Sequence, residues 1–164
     1  MNIGIRGVGM ALVICALLAV AGEIGSAGGQ MPSDSAALLQ FQRAADSYAF
    51  AHRRTERRRD AMPLAAEGTL FTPAVAAAFR SRIADAVKSG CEWPRSPADN
   101  FVVPAVNTYS GDAPALPECL GARLPRLPEE LEYRAAGAAL LLSDRHLKVV
   151  VDVLHAAHPR TGDN

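Results

Sequence analysis

The stretch LEYRAAGAALLLSDRHLKVVVDVL, residues 131–154, decides the fold. Charged and apolar residues alternate up to Gly137, a short apolar run follows at residues 139–142, and a third run alternates again over residues 147–153. A period of two is typical of half-buried strands, and Asp144 suits a tight bend before the third run. The segment therefore predicts a three-stranded antiparallel meander.

Upstream of the meander, the first predicted helix begins after a capping residue, Ser33 or Asp34, and runs to about Arg59. Apolar and aromatic residues recur there at steps of three and four, which places them on one face of a helix that packs on the core. This face comprises Leu38, Phe41, Ala45, Tyr48 and His52.

A second helix is predicted over residues 73–89. Thr72 supplies a capping hydroxyl, Pro73 occupies the first helical position, and Gly90 suits the left-handed conformation that ends a helix. The chain is thus expected to be an α+β domain with two amphipathic helices packed on a small C-terminal antiparallel β-meander.

A Pro-rich connecting loop, residues 91–128, joins the second helix to the meander. We expect an extended path with one short strand near residues 101–103. Trp93, Phe101 and Tyr109 in this loop are expected to fill the core, and the alternative is that they face a ligand.

The N-terminal residues read as an export signal. Arg6 precedes an apolar run of about 14 residues, whereas a helix that spans a bilayer needs about 20. Residues 1–27 are therefore predicted to be a signal peptide that is cleaved after Ala27 or, alternatively, after Ala21. The mature product, residues 28–164, is a single small domain whose C-terminal tail frays, and it is expected to be periplasmic or secreted.

Export gives the cysteines a specific meaning. Cys15 leaves with the signal peptide, so that Cys91 and Cys119 remain as an even pair. An oxidising compartment favours a disulfide between them, which would tie the end of the second helix to the Pro-rich loop. Two free thiols and a redox or metal-binding pair are the alternatives, although no CxxC motif supports the last.

Charge is balanced over the whole chain, with 17 Lys and Arg against 17 Asp and Glu, so composition does not indicate nucleic acid. One segment departs from this balance, because five arginines fall within residues 53–59. The simplest reading is a solvated helix end, where the helix dipole favours cations. The alternative is a patch for an anionic envelope component or an acidic protein. We call these residues the arginine cluster; they are Arg53, Arg54, Arg57, Arg58 and Arg59.

Motifs for chemistry are sparse: GxSxG, HExxH, P-loop and GxGxxG patterns do not occur. Asp152, His155 and His158, spaced by three, are the best candidate metal ligands, and a solvated tail is the alternative. His52 is expected to be a partly buried structural residue rather than a catalytic base. Residues 129–132, with three glutamates, are read as an acidic turn. No cofactor is predicted.

The segments LPRLPEELEYR (residues 124–134) and VVVDVL (residues 149–154), with Asp144 between them, resemble the C-terminal signature of a family of uncharacterised secreted bacterial proteins. The segments AHRR (residues 51–54) and FTPAV (residues 71–75) are also similar to that family. Its members carry a longer connector between the two helices. The resemblance implies an exported α+β domain and implies no activity.

Taken together, these features predict a non-enzymatic binding or structural domain in the periplasm or at the envelope surface. A periplasmic metal-binding protein is the first alternative, and a hydrolase whose site is scattered along the chain is the second. Membrane contact is expected only through the signal segment before its cleavage.

Overall fold

The computed structural model describes residues 33–58, 64–95 and 102–158. The elements are α1 (Asp34–Arg58), α2 (Pro73–Lys88), α3 (Glu118–Gly121), β1 (Leu131–Ala136), β2 (Ala139–Asp144) and β3 (Val149–Leu154). Two long helices and the four-residue α3 thus precede a C-terminal antiparallel sheet, which confirms the predicted α+β class. The predicted signal peptide, Arg59, Phe101 and the end of the tail lie outside the described residues. Within the described ranges, no helix is long and apolar enough to cross a bilayer.

Helix α1 follows directly on Ser33, whose carbonyl oxygen accepts the amide N–H of Ala37 at 3.0 Å. The predicted core-facing stripe is confirmed, because the buried residues recur at steps of three and four. They are Ala37, Leu38, Phe41, Ala45, Ala49 and His52.

Helix α2 begins with Pro73 at its first position, as predicted, but the expected capping hydroxyl is not used. The Thr72 hydroxyl is buried without a hydrogen-bond partner among the described residues. The backbone carbonyl oxygen of Thr72 accepts the amide N–H of Ala76 at 2.8 Å. At the other end Gly90 takes φ +96°, the left-handed conformation that favours glycine.

The sheet has the strand order β1-β2-β3 with antiparallel pairing throughout. Leu142 pairs with Asp152, but the next residue of β2, Ser143, pairs with Val150, so a bulge leaves Val151 as an extra residue in β3. The prediction that every second residue of β3 shares one face is therefore wrong. Val151 joins the core beneath the helices, and Val153 points to the opposite face.

Both faces of the sheet are covered. On one face the aromatic rings of Phe41, Phe71 and Phe79 pack against each other and against Leu140 and Leu142 of β2. On the other face lies a smaller cluster of short side chains, comprising Ala113, Ala136, Ala139, Leu141, Val150 and Val153. A three-stranded sheet is stable here because it buries apolar residues on both sides.

The Pro-rich loop closes both edges of the sheet. Along β3 it exchanges backbone hydrogen bonds with Val150, and along β1 the Pro114 carbonyl accepts the amide N–H of Ala135 at 2.9 Å. Free strand edges pair readily with other chains, so this cover limits aggregation. The short strand predicted near residues 101–103 is not formed at residues 102 and 103, and the loop contains the helix α3, which was not predicted.

Candidate functional site

The inner side of α1 ends on a buried carboxylate of the sheet. Asp144, the last residue of β2, is fully buried, and its Oδ1 accepts the amide N–H groups of His146 and Leu147 at 2.9 and 2.8 Å. The Tyr48 hydroxyl donates to Oδ2 at 3.0 Å. The side chain thus organises the β2–β3 turn and holds α1 at the same time. Asp144 was predicted in this turn, but its contact with α1 was not.

His52, one turn further along α1, lies between two carboxylates. Its Nδ1 is 2.6 Å from Asp144 Oδ2, and its Nε2 is 2.9 Å from Glu56 Oε1. Both nitrogens lie at ion-pair distance from their carboxylates, although neither meets its carboxylate with full hydrogen-bond geometry. The ring of His146 lies 5.5 Å away, between ring centroids.

These neighbours decide the protonation state of His52. Burial disfavours the charged imidazole, but the contacts with Glu56 and the charge of Asp144 outweigh it, so that the pKa of His52 is raised above its usual value. A protonated His52 compensates the buried carboxylate of Asp144. Burial, together with the charge of Asp144 and the hydrogen bond to it, raises the pKa of Tyr48.

An aspartate behind a histidine is also the arrangement that orients a catalytic base. Here only 1% of His52 is accessible, and the nitrogen that would face a substrate is the one beside Glu56. The described geometry therefore fits the structural role predicted for His52, in which charge holds α1 against the sheet.

A second ion pair holds the end of α1. Arg53 Nη1 lies 2.6 Å from Oε1 of Glu130, a buried residue directly before β1. The amide N–H of Arg145 donates to the Glu130 carbonyl at 2.7 Å, which ties the β2–β3 turn to the same point. One arginine of the arginine cluster thus serves as a bridge from α1 to the sheet.

The other described arginines of the arginine cluster face solvent. Arg54, Arg57 and Arg58 are exposed in the last turns of α1, and within residues 33–58, 64–95 and 102–158 none of the three pairs with a carboxylate. Arg59, the fifth predicted member, lies outside the described residues. In the part of the chain that the structure describes, α1 thus ends with three exposed guanidinium groups that have no carboxylate partner.

Asp152, a predicted metal ligand, binds backbone amides instead. Its Oδ1 accepts the N–H groups of Gly68 and Val153, both at 2.8 Å. Its Oδ2 accepts those of Leu70 and Phe71, at 2.7 and 2.8 Å. All four bonds are buried or partly buried, and three of them hold the chain segment that leads into α2.

The two histidines predicted to join Asp152 lie elsewhere. His155 Nε2 is 3.1 Å from Glu67 Oε1 at the surface, and the His158 ring stacks on Trp93 with centroids 5.4 Å apart. Burial lowers the pKa of His158. In the described part of the chain no group of three His, Cys, Asp or Glu side chains could hold a metal. The three side chains are not brought together, because Asp152 lies in a strand, where a spacing of three does not align side chains.

The two cysteines come together as predicted. Cys91, just beyond α2, and Cys119, in α3, lie at disulfide distance with their Cα atoms 6.0 Å apart. Nearby, the Trp93 ring donates a hydrogen bond to the Gly137 carbonyl at 2.7 Å and packs against the core, as expected for this residue. Tyr109, by contrast, is 65% exposed.

A cleft of about 170 Å³ lies beside Tyr48. Its polar side chains are Tyr48 and Asn107, and both are already engaged: Tyr48 donates to Asp144, and Asn107 bonds the backbone N–H and carbonyl of Ala65. The remaining lining residues are apolar: Leu64, Ala65, Leu147, Val149, Val150 and Val151. The cleft thus holds no unused polar side chain among its described lining.

Sequence reasoning missed the pairing of the buried acids with α1 and with the segment before α2. The available signal was an aspartate at the end of the apolar β2 run and another inside the apolar β3 run, since a buried charge must find partners. Comparison with protein-family models, with curated proteins and with solved structures finds no match for this chain.

Proposed function

We propose that this chain is an exported, non-enzymatic binding domain, and that the arginine cluster contacts an anionic component of the cell envelope. The observation that carries the proposal is the state of the described arginines: Arg53 is held by Glu130, whereas Arg54, Arg57 and Arg58 are exposed and pair with no carboxylate among the described residues. Guanidinium groups bind phosphate and carboxylate oxygens through paired hydrogen bonds.

The attachment of the helix end to the sheet favours binding. The contacts of Tyr48, His52 and Arg53 with the sheet hold the last turns of α1, so the three exposed arginines share a frame that is already ordered. A surface that is ordered before binding loses less conformational entropy when a partner arrives.

Export is supported by the pairing of Cys91 and Cys119, because disulfides persist in oxidising compartments. It is further supported by the N-terminal sequence, with one arginine before a short apolar run. Both features are typical of periplasmic and secreted proteins.

The test is retention on heparin, a soluble polyanion, for three forms of the protein. Substitution of Arg54, Arg57 and Arg58 by Gln is expected to lower the salt concentration at elution markedly. The matched control replaces three exposed cations elsewhere, Lys88, Arg95 and Arg123, by Gln. Equal loss of retention in the two variants would show that net charge alone is responsible and would remove the arginine cluster from the function.

A further inference from the structure

The outward side of α1 combines cations with isolated apolar side chains. Its residues recur at helical spacing, and each lies within about 40° of Phe50 around the helix axis. We call this the outer face of α1; it comprises Leu39, Arg43, Asp46, Phe50, Arg54 and Arg57.

The outer face lies opposite the buried side of the helix that carries Phe41 and His52. Phe50 is 58% exposed and Leu39 is 53% exposed, and these are large apolar side chains left in water on a helix that is otherwise well packed. The face runs for about 18 residues, or about 27 Å, along the helix. It is long and narrow, with its apolar groups set apart and flanked by arginines.

Charge on α1 is concentrated. Residues 43–58 carry five arginines against two acids, while Lys and Arg balance Asp and Glu over the whole chain, so the remainder of the chain is net acidic. An anionic surface therefore attracts this side of the domain more strongly than the remainder of the chain taken as a whole. The outer face carries three arginines against one aspartate, so two copies bound through this face in a two-fold dimer would bring two net positive surfaces together.

We propose that the outer face of α1 lies on an anionic lipid bilayer, with Arg43, Arg54 and Arg57 on lipid phosphates and Phe50 between the headgroups. The proposal rests on the anion-binding function above and names its partner, and it departs from the sequence-based expectation that only the signal segment contacts a membrane. Separate large apolar groups flanked by cations are typical of helices that lie in a membrane interface, whereas protein interfaces centre on a contiguous buried core.

The first experiment is co-sedimentation of the protein, as recovered from the cell, with vesicles of phosphatidylglycerol and phosphatidylcholine in equal parts. Replacement of Arg43, Arg54 and Arg57 by Gln is expected to weaken binding about a hundredfold, since each cation near an anionic surface contributes about fivefold. Phe50→Ser is expected to weaken binding at least about threefold. Binding to pure phosphatidylcholine vesicles, or in about 0.5 M NaCl, is expected to be lost.

The second experiment reports membrane contact by α1 alone and does not depend on whether the N-terminal segment also binds the vesicles. Phe50→Trp places an indole on the outer face, and brominated lipids are expected to quench its fluorescence. The wild-type protein, whose single Trp93 packs against the core, serves as the unquenched control. The exposed Tyr109→Ser variant is the control for Phe50→Ser and is expected to bind as the wild type does.

Each outcome distinguishes the two proposals. Suppose that retention on heparin depends on the arginines, but the indole of the Phe50→Trp variant is not quenched or Phe50→Ser does not weaken vesicle binding. This result overturns the bilayer contact and leaves the anion-binding function in place. Loss of arginine dependence with both heparin and vesicles overturns both proposals. Unchanged thermal unfolding of every variant is expected, because the substituted side chains are exposed.

Discussion

Replacement of Asp152 by Asn is expected to cost a large part of the stability of the domain. The carboxylate is buried, and its two oxygens accept four backbone N–H groups, two at each oxygen. An amide keeps one oxygen and turns the other position into a donor, so that two buried N–H groups lose their acceptor. Hydrogen bonds to a charged group contribute about 1.5 to 3 kcal/mol each, which gives a loss of about 3 to 6 kcal/mol. Small domains have only about 5 to 15 kcal/mol in total.

The assay is urea unfolding followed by circular dichroism and by the fluorescence of Trp93. His155→Ala is the matched control, because His155 meets Glu67 at the surface and its loss is expected to leave the free energy of unfolding unchanged. An Asp152→Asn loss below about 1 kcal/mol would refute the reasoning, since it would mean that the amide bonds are replaceable. If the variant does not fold, slow hydrogen exchange of the Leu70 and Phe71 amides in the wild type is the corresponding expectation, and fast exchange would contradict it.

Three further predictions concern the attachment of α1 and the Pro-rich loop. Because the pKa of His52 is raised in the folded state, the contribution of His52 to stability is full below about pH 6.5 and is lost as the pH rises through the pKa of the folded state. His52→Gln should remove this pH dependence from the temperature of thermal unfolding. An unaltered pH profile in the variant would contradict the prediction. Tyr48→Phe removes a hydrogen bond to the Asp144 carboxylate and should cost about 1.5 to 3 kcal/mol in urea unfolding, whereas a neutral effect would show that the bond is not maintained. Cys91→Ser removes the crosslink to Cys119, which closes a loop with a sequence separation of 28, and should lower the free energy of unfolding by about 3 to 4 kcal/mol under non-reducing conditions. An intact mass of the wild type that shows two free thiols would exclude the disulfide.

Regular periods carried the successful predictions. The steps of three and four from Leu38 to His52 recovered the buried side of α1, because helix geometry alone decides which residues share a face. Alternation recovered three antiparallel strands in the correct order. These patterns are local, so one sequence is enough to read them.

Departures from regular periods were missed. The bulge in β3, opposite Leu142 and Ser143 of β2, changes which β3 residues face the helices, and no residue type in the sequence marks it. Threonine is a favoured helix-capping residue, yet the Thr72 side chain makes no capping hydrogen bond to α2. The Asp152 carboxylate instead accepts the amide N–H groups of the two preceding residues, Leu70 and Phe71. That acceptor comes from a strand about eighty residues later, which no local pattern encodes.

The candidate site shows the same division. The arginine cluster was visible as composition, and the exposure of its described members is consistent with either a solvated helix end or a binding patch. The contacts that hold this helix end, Tyr48 and His52 to Asp144 and Arg53 to Glu130, join residues more than seventy positions apart. They depend on the packing of α1 on the sheet and could be read only from the folded structure.

The most direct test of the binding surface is a titration followed by NMR of the arginine side-chain Nε–H groups, with a short heparin oligosaccharide as the probe. We expect the signals of Arg54 and Arg57 to shift first and together. We expect those of Arg95 and Arg123, which are also exposed but are not part of α1, to remain in place until much higher concentrations. Shifts led by Arg95 or Arg123, or equal shifts in all four, would contradict the assignment of α1 as the anion-binding surface.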